Sequence, residues 1–438
     1  MAFYRTQVDN MIGHRFSLRI CLLTGFFLVG SMIVAPGSPL ALNSADPYQA
    51  IDQHALSTPA SAERSPASLA DYLSQPAKND REKARALYRW ITANIVYDTR
   101  GFFSGQVTNF TPEAVLQSRS SVCQGFAGLF HALAINAGLQ AATIKGYAKG
   151  YGYLPGTGLR DPTNHTWNAV MLDGNWHLLD TTMGSGYLNP QGQLVRQFRA
   201  YYFLTPPEAF IYDHFPLNAR WQLLDQPLSR QAFEELVWLK QHFFNHDLRL
   251  ASHTKATIQT DNQVLITLQA PETVLLLARL EIGKQKLDEH YTFVQKDADK
   301  VNIHVRLPRA GQYRLRIYAK KKGLAGNYKS ALDYVIQASK GSNANIGFPK
   351  TYAPFNEYAV YLRHPMDGYL KAGQDQNFKL EVPDAEKIAV VIGSNWYYLN
   401  KTGAVFEGPV RIPKGSFAVF AKFPDQDKFH GLLEFIGI

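Results

Sequence analysis

Apolar residues recur at helical spacing in two stretches of the first half of the chain. In the first stretch, Ala84, Leu87 and Ile91 lie three or four positions apart, as on the buried face of an amphipathic helix. In the second, an apolar stripe of the same period begins after Ser121 and ends at Gly138, a residue typical of helix ends. These patterns predict two helices that each bury one face.

A cysteine lies at the start of the second predicted helix. Ser121 and Gln124 have the spacing of a capping box, with the serine as N-cap, so Cys123 falls in the first turn. The partial positive charge of a helix N-terminus stabilises a thiolate, and its free N–H groups can bind an oxyanion. A cysteine within the apolar stripe would indicate packing, whereas this position favours chemistry.

A predicted β-hairpin brings a histidine and an aspartate to one face of a sheet. The Asp-Gly pair at 173–174 favours a two-residue turn, which places Trp167 opposite Asp180. His165 precedes Trp167 by two residues and therefore points to the same face. His165 and Asp180 become diagonal neighbours with Cβ atoms roughly 7 Å apart. A register slip of one residue would separate them.

Cys123, His165 and Asp180 occur in the order and chemistry of a thiol-dependent acyl-transfer site. Each of these residues alone is more often structural, and only the combination favours catalysis. Gln124 and Trp167 are candidates for an oxyanion-binding or neighbouring role. The sequence has neither zinc-ligand spacing nor a complete calcium-binding loop, so we expect no metal and no cofactor.

The sequence of the second half of the chain indicates two copies of one β-rich unit. After a helical linker at 226–250, we predict a repeat at 251–338 and another at 350–438. The similarity is clearest between residues 304–313 and 409–417. Short strands separated by Pro and Gly turns are typical of small β-sandwiches.

The N-terminus has the pattern of an export signal. Residues 1–41 combine arginines, an apolar stretch and small residues near a cleavage site. Pro39 is a poor residue for cleavage, so an uncleaved membrane anchor stays open as an alternative to a secreted or periplasmic protein. Residues 42–79, rich in Ala, Ser and Pro, are predicted to be a flexible leader. After cleavage Cys123 would be the one remaining cysteine, unable to form an internal disulfide.

The chain carries a net charge of +9, and 46% of its residues are hydrophobic. Between residues 251 and 340 there are 15 Lys and Arg against 8 Asp and Glu. This excess allows two interpretations, affinity for an anionic surface or polymer and an ordinary solvated face. No nucleic-acid-binding motif accompanies it, so we expect no nucleic-acid partner.

The region from 80 to 225 resembles the transglutaminase-like superfamily of the papain-like fold class. The resemblance rests on LYRWITANIVYD, VCQGFAGLFHALAINAG and NHTWNAVMLDGNWHLLDTTMGSG. The following YYFLTPPEAFIYDHFPLNARWQLL is similar to the kyphoscoliosis-peptidase-type branch, in which immunoglobulin-like modules follow the core. The resemblance implies an α+β papain/transglutaminase-like core followed by two all-β immunoglobulin-like sandwiches. It assigns the nucleophile, base and orienting carboxylate to Cys123, His165 and Asp180.

Two hypotheses for the function follow. The first is an exported thiol enzyme that acts on a protein or peptide substrate, with hydrolysis favoured over transamidation. The second is a non-catalytic adhesion or scaffold protein that keeps the fold and binds partners through its β-sandwiches. The complete Cys-His-Asp set favours the enzyme.

Overall fold

The computed structural model describes residues 46–107, 110–342, 347–424 and 426–438. The expected signal or anchor at 1–41 and the first residues of the expected leader lie outside these ranges. Within them, no helix is long and apolar enough to cross a membrane.

The first region is a five-stranded antiparallel sheet with helices packed against it. Its helices are α1 Gln49–Leu56, α2 Pro66–Ser74, α3 Asp80–Asn94, α4 Thr99–Ser104, α5 Pro112–Ser118, α6 Cys123–Asn136, α7 Thr181–Ser185 and α8 Pro207–Phe210. Its strands are β1 Val96–Tyr97, β2 Ser120–Ser121, β3 Ala141–Ala148, β4 His165–Leu172, β5 Asn175–Leu179, β6 Gly186–Leu188, β7 Leu194–Arg196, β8 Phe203–Thr205 and β9 His214–Pro216. The sheet has the order β8-β5-β4-β3-β9.

The two predicted amphipathic helices are α3 and α6, and their apolar positions are buried in one core. The predicted cap of α6 is wrong by one residue. Val122 is the N-cap and makes no side-chain capping bond, while Ser121 belongs to the short strand β2. Pairing of β2 with β1 holds Ser121 in extended backbone, so the helix starts one residue later, at Cys123.

The hairpin formed by β4 and β5 has the predicted register. Leu172 lies opposite Asn175, and the same pairing continues to Asn168 and Leu179. Asp173 and Gly174 both have positive φ, +52° and +77°, as a type I′ turn requires. The right-handed twist of the strands favours this turn, so two residues of local sequence fix the register of both strands.

The expected flexible leader at 42–79 is wrong for its described part. Helices α1 and α2 occupy most of residues 49–74, and Leu69 and Leu73 are fully buried in the first core. Ser65 caps α2 through a reciprocal capping box, with Pro66 at the first helical position. A segment rich in Ala, Ser and Pro therefore forms a well-capped helix instead of a flexible leader. The first domain begins before residue 80.

The rest of the chain forms two β-sandwiches. The first contains α9 Arg230–Glu235, β10 Trp238–Leu239, α10 Gln241–Phe244, β11 Arg249–Leu250, β12 Thr257–Thr260, β13 Gln263–Gln269, β14 Val274–Ile282, β15 Gln285–Lys286, β16 Thr292–Asp297, β17 Lys300–Arg306, β18 Gly311–Lys321 and β19 Lys329–Ala338. The second contains β20 Lys350–Thr351, α11 Ala353–Glu357, β21 Tyr361–His364, β22 Tyr369–Leu370, β23 Asp375–Glu381, β24 Lys387–Ile392, β25 Asn395–Tyr398, β26 Asn400–Thr402, β27 Val405–Arg411, β28 Gly415–Lys422 and β29 His430–Gly437.

The two sandwiches share one topology. The sheet β10-β19-β18-β14-β15 corresponds strand by strand to β20-β29-β28-β24-β25, and β11-β13-β17-β16 corresponds to β21-β23-β27-β26. Each copy also has a parallel strand on the same partner, β12 on β19 and β22 on β29. The similar segments 304–313 and 409–417 overlap the equivalent strands β17 and β27. The internal repeat seen in the sequence is therefore a duplicated fold.

The expected helical linker at 226–250 is part of the first sandwich. Strand β10 pairs with β19, β11 pairs with β13, and Val237 and Phe243 are buried in the sandwich core. This segment also joins the two domains. Lys149, the residue after β3, is buried. Its Nζ donates hydrogen bonds to the carbonyls of Phe233 and Leu236 at 2.9 and 3.1 Å.

The buried N-terminal helices give a direct stability test. Leu69→Ala should lower the free energy of unfolding by about 2–5 kcal/mol, because it leaves a cavity in the first core. Leu56, at the end of α1, is 51% exposed, so Leu56→Ala should cost about 0.5 kcal/mol or less. Chemical denaturation of the two variants measures both values. Equal, negligible costs would mean that this segment is a flexible leader after all.

Candidate functional site

The nucleophile candidate lies where helix α6 meets the sheet. Cys123 is the first residue of α6 and forms no disulfide with any described residue. Its sulfur receives hydrogen bonds from the His165 side chain and from the backbone N–H of Thr166. The first residues of β4 therefore hold the thiol from two directions.

The imidazole of His165 lies between the thiol and a buried carboxylate. Its Nε2 atom is 2.6 Å from Oδ2 of Asp180, whose side chain is fully buried. The other carboxylate oxygen accepts the backbone N–H of Met183 at 2.9 Å, so Asp180 is also the N-cap of α7. The sequence predictions for Cys123, His165 and Asp180 thus converge on one cluster of side chains.

Charge is distributed along this cluster in an alternating pattern. Burial raises the pKa of the Cys123 thiol, but the hydrogen bond and positive charge of His165 outweigh burial and lower it overall. Burial lowers the pKa of His165, yet the Asp180 carboxylate and the thiolate raise it to about 10. Despite its burial, Asp180 has a pKa well below its usual range because His165 stabilises its charge. The three shifts favour a thiolate–imidazolium pair beside a carboxylate.

A second histidine, which the sequence analysis missed, extends the cluster. Nε2 of His214 lies 3.0 Å from the same Oδ2 of Asp180, and its Nδ1 lies 2.6 Å from Oδ1 of Asp213. Its ring stacks on Phe210 with centroids 3.9 Å apart. Burial lowers the pKa of His214, but the Asp213 charge and both hydrogen bonds raise it overall. Both ring nitrogens of His214 therefore face carboxylate oxygens, an arrangement that favours the charged imidazolium form.

The hydrogen-bonded chain continues to the boundary of the first sandwich. The hydroxyl of Tyr202 donates to Asp213 at 3.0 Å and accepts a bond from Arg199 at 3.3 Å. Nε of Arg199 in turn donates to Oε1 of Gln241, on α10, at 2.6 Å. The second domain thus contributes a residue to the network that fixes the position of Asp180.

His165, Asp180 and His214 are close enough to raise the question of a metal site, since their ligand atoms lie within 4.8 Å of one another. Donor atoms that share a tetrahedral zinc ion at about 2.0–2.1 Å lie roughly 3.3 Å apart. The 2.6 Å separation of His165 and Asp180 is a hydrogen-bond distance instead. This pair is therefore spaced for a hydrogen bond and not for shared coordination of a tetrahedral zinc ion.

The two neighbouring candidates occupy different environments. Trp167 is buried and stacks against His165, with centroids 6.0 Å apart and planes at 25°. Its indole Nε1 has no hydrogen-bond partner among the described residues. Gln124, the second residue of α6, is exposed. The backbone N–H groups of Cys123 and Gln124 precede the first intrahelical bond, which Gly125 makes to the Val122 carbonyl at 3.0 Å, so they can face a developing oxyanion.

The sequence contains only a weak local signal for His214. It lies 34 residues after Asp180, on a strand that pairs with β3 and not with the hairpin. Its neighbour Asp213 forms the adjacent pair Asp-His, which is the one hint in the sequence that the imidazole has a carboxylate partner.

The comparisons with known proteins agree with this fold. Residues 67–181 match the model of the transglutaminase-like superfamily, and residues 230–349 match that of the KY-like, immunoglobulin-like domain. The chain thus carries a transglutaminase-like domain followed by immunoglobulin-like domains, which confirms the resemblance seen in the sequence.

Particular relatives support the same assignment. Over 274 residues the chain is 35% identical to the kyphoscoliosis peptidases of Mus musculus and Homo sapiens, covering 62% of this chain and 40% of each relative. It is 34% identical over 228 residues to the Lim and transglutaminase domain protein ltd-1 of Caenorhabditis elegans, covering 49% of this chain and 31% of that protein. The chain therefore spans less than half the length of these curated relatives.

The position of His214 leads to a prediction about His165. In His214→Gln, Asp180 loses a positive neighbour and should stabilise the His165 imidazolium more strongly. We expect the pKa of His165 to rise above its parental value of about 10. The rate of Cys123 alkylation should change when His165 loses its proton, and in the variant this change should occur at higher pH.

His177→Gln is the matched control, because His177 lies opposite Val170 in the hairpin and outside the cluster. It should leave the profile unchanged. A His214→Gln protein that is folded and has the parental profile would show that His214 only fills space.

Proposed function

We propose that this protein is a thiol-dependent acyl-transfer enzyme with Cys123 as nucleophile. The observation that carries the proposal is the buried 2.6 Å contact between His165 and Asp180, on the same imidazole that hydrogen-bonds the Cys123 sulfur. A histidine with a raised pKa beside a cysteine with a lowered pKa is the protonation state that such chemistry needs at its start.

The proposed reaction begins when the Cys123 thiolate attacks an amide carbonyl carbon. A carbon–sulfur bond forms, and the negative charge moves to the carbonyl oxygen, near the first-turn N–H groups of α6. His165 gives its proton to the departing amine as the carbon–nitrogen bond breaks, which leaves a thioester on Cys123. Asp180 keeps the imidazole oriented and stabilises its charged form.

The thioester is released by a second nucleophile that gives a proton to His165. Water yields a carboxylic acid and therefore hydrolysis, whereas an amine yields a new amide and therefore transamidation. The relatives from mouse and human carry the name peptidase, which favours hydrolysis of a protein or peptide here. The signal-like pattern at 1–41 adds the proposal that the reaction takes place outside the cytoplasm.

The two pKa shifts predict the pH dependence of Cys123 reactivity. The lowered thiol pKa means that iodoacetamide should alkylate Cys123 rapidly near neutral pH, and the rate should fall as the thiolate is protonated at lower pH. A second change in rate is expected near pH 10, where His165 loses its proton. Mass spectrometry of the alkylated chain across a pH series measures both steps.

Two variants complete this test. In His165→Ala the charge that lowers the thiol pKa is gone, so alkylation near neutral pH should slow several-fold. Cys123→Ala should abolish labelling at position 123, which mass spectrometry separates from labelling of Cys21 where residues 1–41 are present, and it is the control for turnover of peptide substrates. Equal, slow alkylation of the parent and His165→Ala would contradict the nucleophile assignment and favour a non-catalytic scaffold.

A further inference from the structure

Three segments around the site expose apolar side chains and carry almost no charge. In residues 99–107, 150–159 and 186–195, Arg100 is the one charged residue, although 18% of the whole chain is charged. The first two segments expose Phe102, Phe103 and Tyr151 by 40%, 54% and 46%. Side chains of this size are usually buried, and contiguous exposed apolar surface typically marks a binding site.

The three segments meet. The rings of Phe103 and Tyr151 are in edge contact, with centroids 5.6 Å apart. Gly192, in the turn between β6 and β7, completes the group, since a Cβ atom there would lie 2.9 Å from the Phe103 ring and 3.3 Å from the Tyr151 hydroxyl. With φ of +77°, this position also disfavours any side chain. We call Phe102, Phe103, Tyr151 and Gly192 the aromatic rim.

A row of aromatic rings links the rim to the strand that precedes Cys123. The ring of Phe102 lies 5.1 Å from that of Phe103 and 5.7 Å from that of Tyr97. Tyr97 pairs with Ser121, two residues before Cys123, and it is close enough that the Cys123 charge adds to burial in raising the Tyr97 pKa. A row of neighbouring aromatic rings therefore runs from Tyr97, which pairs with the strand just before Cys123, to the surface.

We propose that the aromatic rim binds an uncharged aromatic or large aliphatic side chain of the acyl-donor polypeptide, next to the amide that Cys123 attacks. This proposal rests on the proposed function. Covering the three exposed rings removes apolar surface from water, whereas a charged side chain would lose hydration against these rings, with Arg100 as the one charged residue on the three segments. The rim thus selects substrates by apolar contact at the reacting centre.

The experiment uses two irreversible probes on the full chain, acetyl-phenylalanyl and acetyl-glycyl chloromethyl ketone. Both are uncharged and alkylate the same thiol, so their ratio of kinact/KI reports the rim. We expect the phenylalanyl probe to react about tenfold faster. Phe103→Ala and Tyr151→Ala should each reduce this preference about threefold or more, while iodoacetamide, which has no side chain, should react at the parental rate.

Tyr397→Ala is the matched control, because Tyr397 is 45% exposed on β25 of the second sandwich, remote in sequence from the rim. It should leave the preference intact. Equal rates for the two ketones, with rapid iodoacetamide labelling, would overturn the rim proposal and leave the nucleophile assignment standing. Equal rates together with protection of Cys123 by a soluble N-acetylglucosamine oligomer would also overturn it, in favour of a saccharide. A thiol that resists all three reagents would overturn both proposals.

Discussion

One buried carboxylate, that of Asp180, holds several elements of the transglutaminase-like domain together. Asp180 has no exposed surface, and it accepts hydrogen bonds from His165, His214 and the backbone of Met183. Burying an ionised carboxylate is costly unless it is paired and fully hydrogen-bonded. These contacts satisfy that requirement, and in doing so they tie the β4–β5 hairpin, strand β9 and helix α7 to one point. The geometry of the site and the packing of the domain therefore depend on the same atom group.

The hydrogen-bonded network around Asp180 also links the transglutaminase-like domain to the immunoglobulin-like domain that follows it. The second carboxylate, Asp213, is held by Tyr202, which Arg199 links to Gln241 of the next domain. The alternation of negative and positive groups from the thiol outward lets each charge be stabilised by its neighbours inside a low-dielectric core. The immunoglobulin-like domain, which the sequence indicates as a separate module, therefore contributes to the environment of Cys123 and His165.

The sequence predicted those elements whose structure depends on interactions between residues close together in the chain. The turn at Asp173 and Gly174 needs positive φ at both residues, which fixes the hairpin register and brings His165 and Asp180 together. The helical spacing of apolar residues predicted α3 and α6, because each helix buries one face and that face repeats every three or four residues. Composition misled for α2, where Ala, Ser and Pro suggested a leader. The capping residue Ser65 and the four-residue spacing of Leu69 and Leu73 were the signals that identify this helix.

The sequence by itself determined the residue types of the candidate site, the hairpin that pairs two of them and the duplicated β-sandwich. Each follows from rules that act over a few residues or from direct self-similarity. Only the tertiary structure decided that His214 shares the carboxylate, that α1 and α2 belong to the core, and that the aromatic rim forms from three separate segments. Those features depend on contacts between residues distant along the chain, and no local pattern records which surfaces meet when the chain folds.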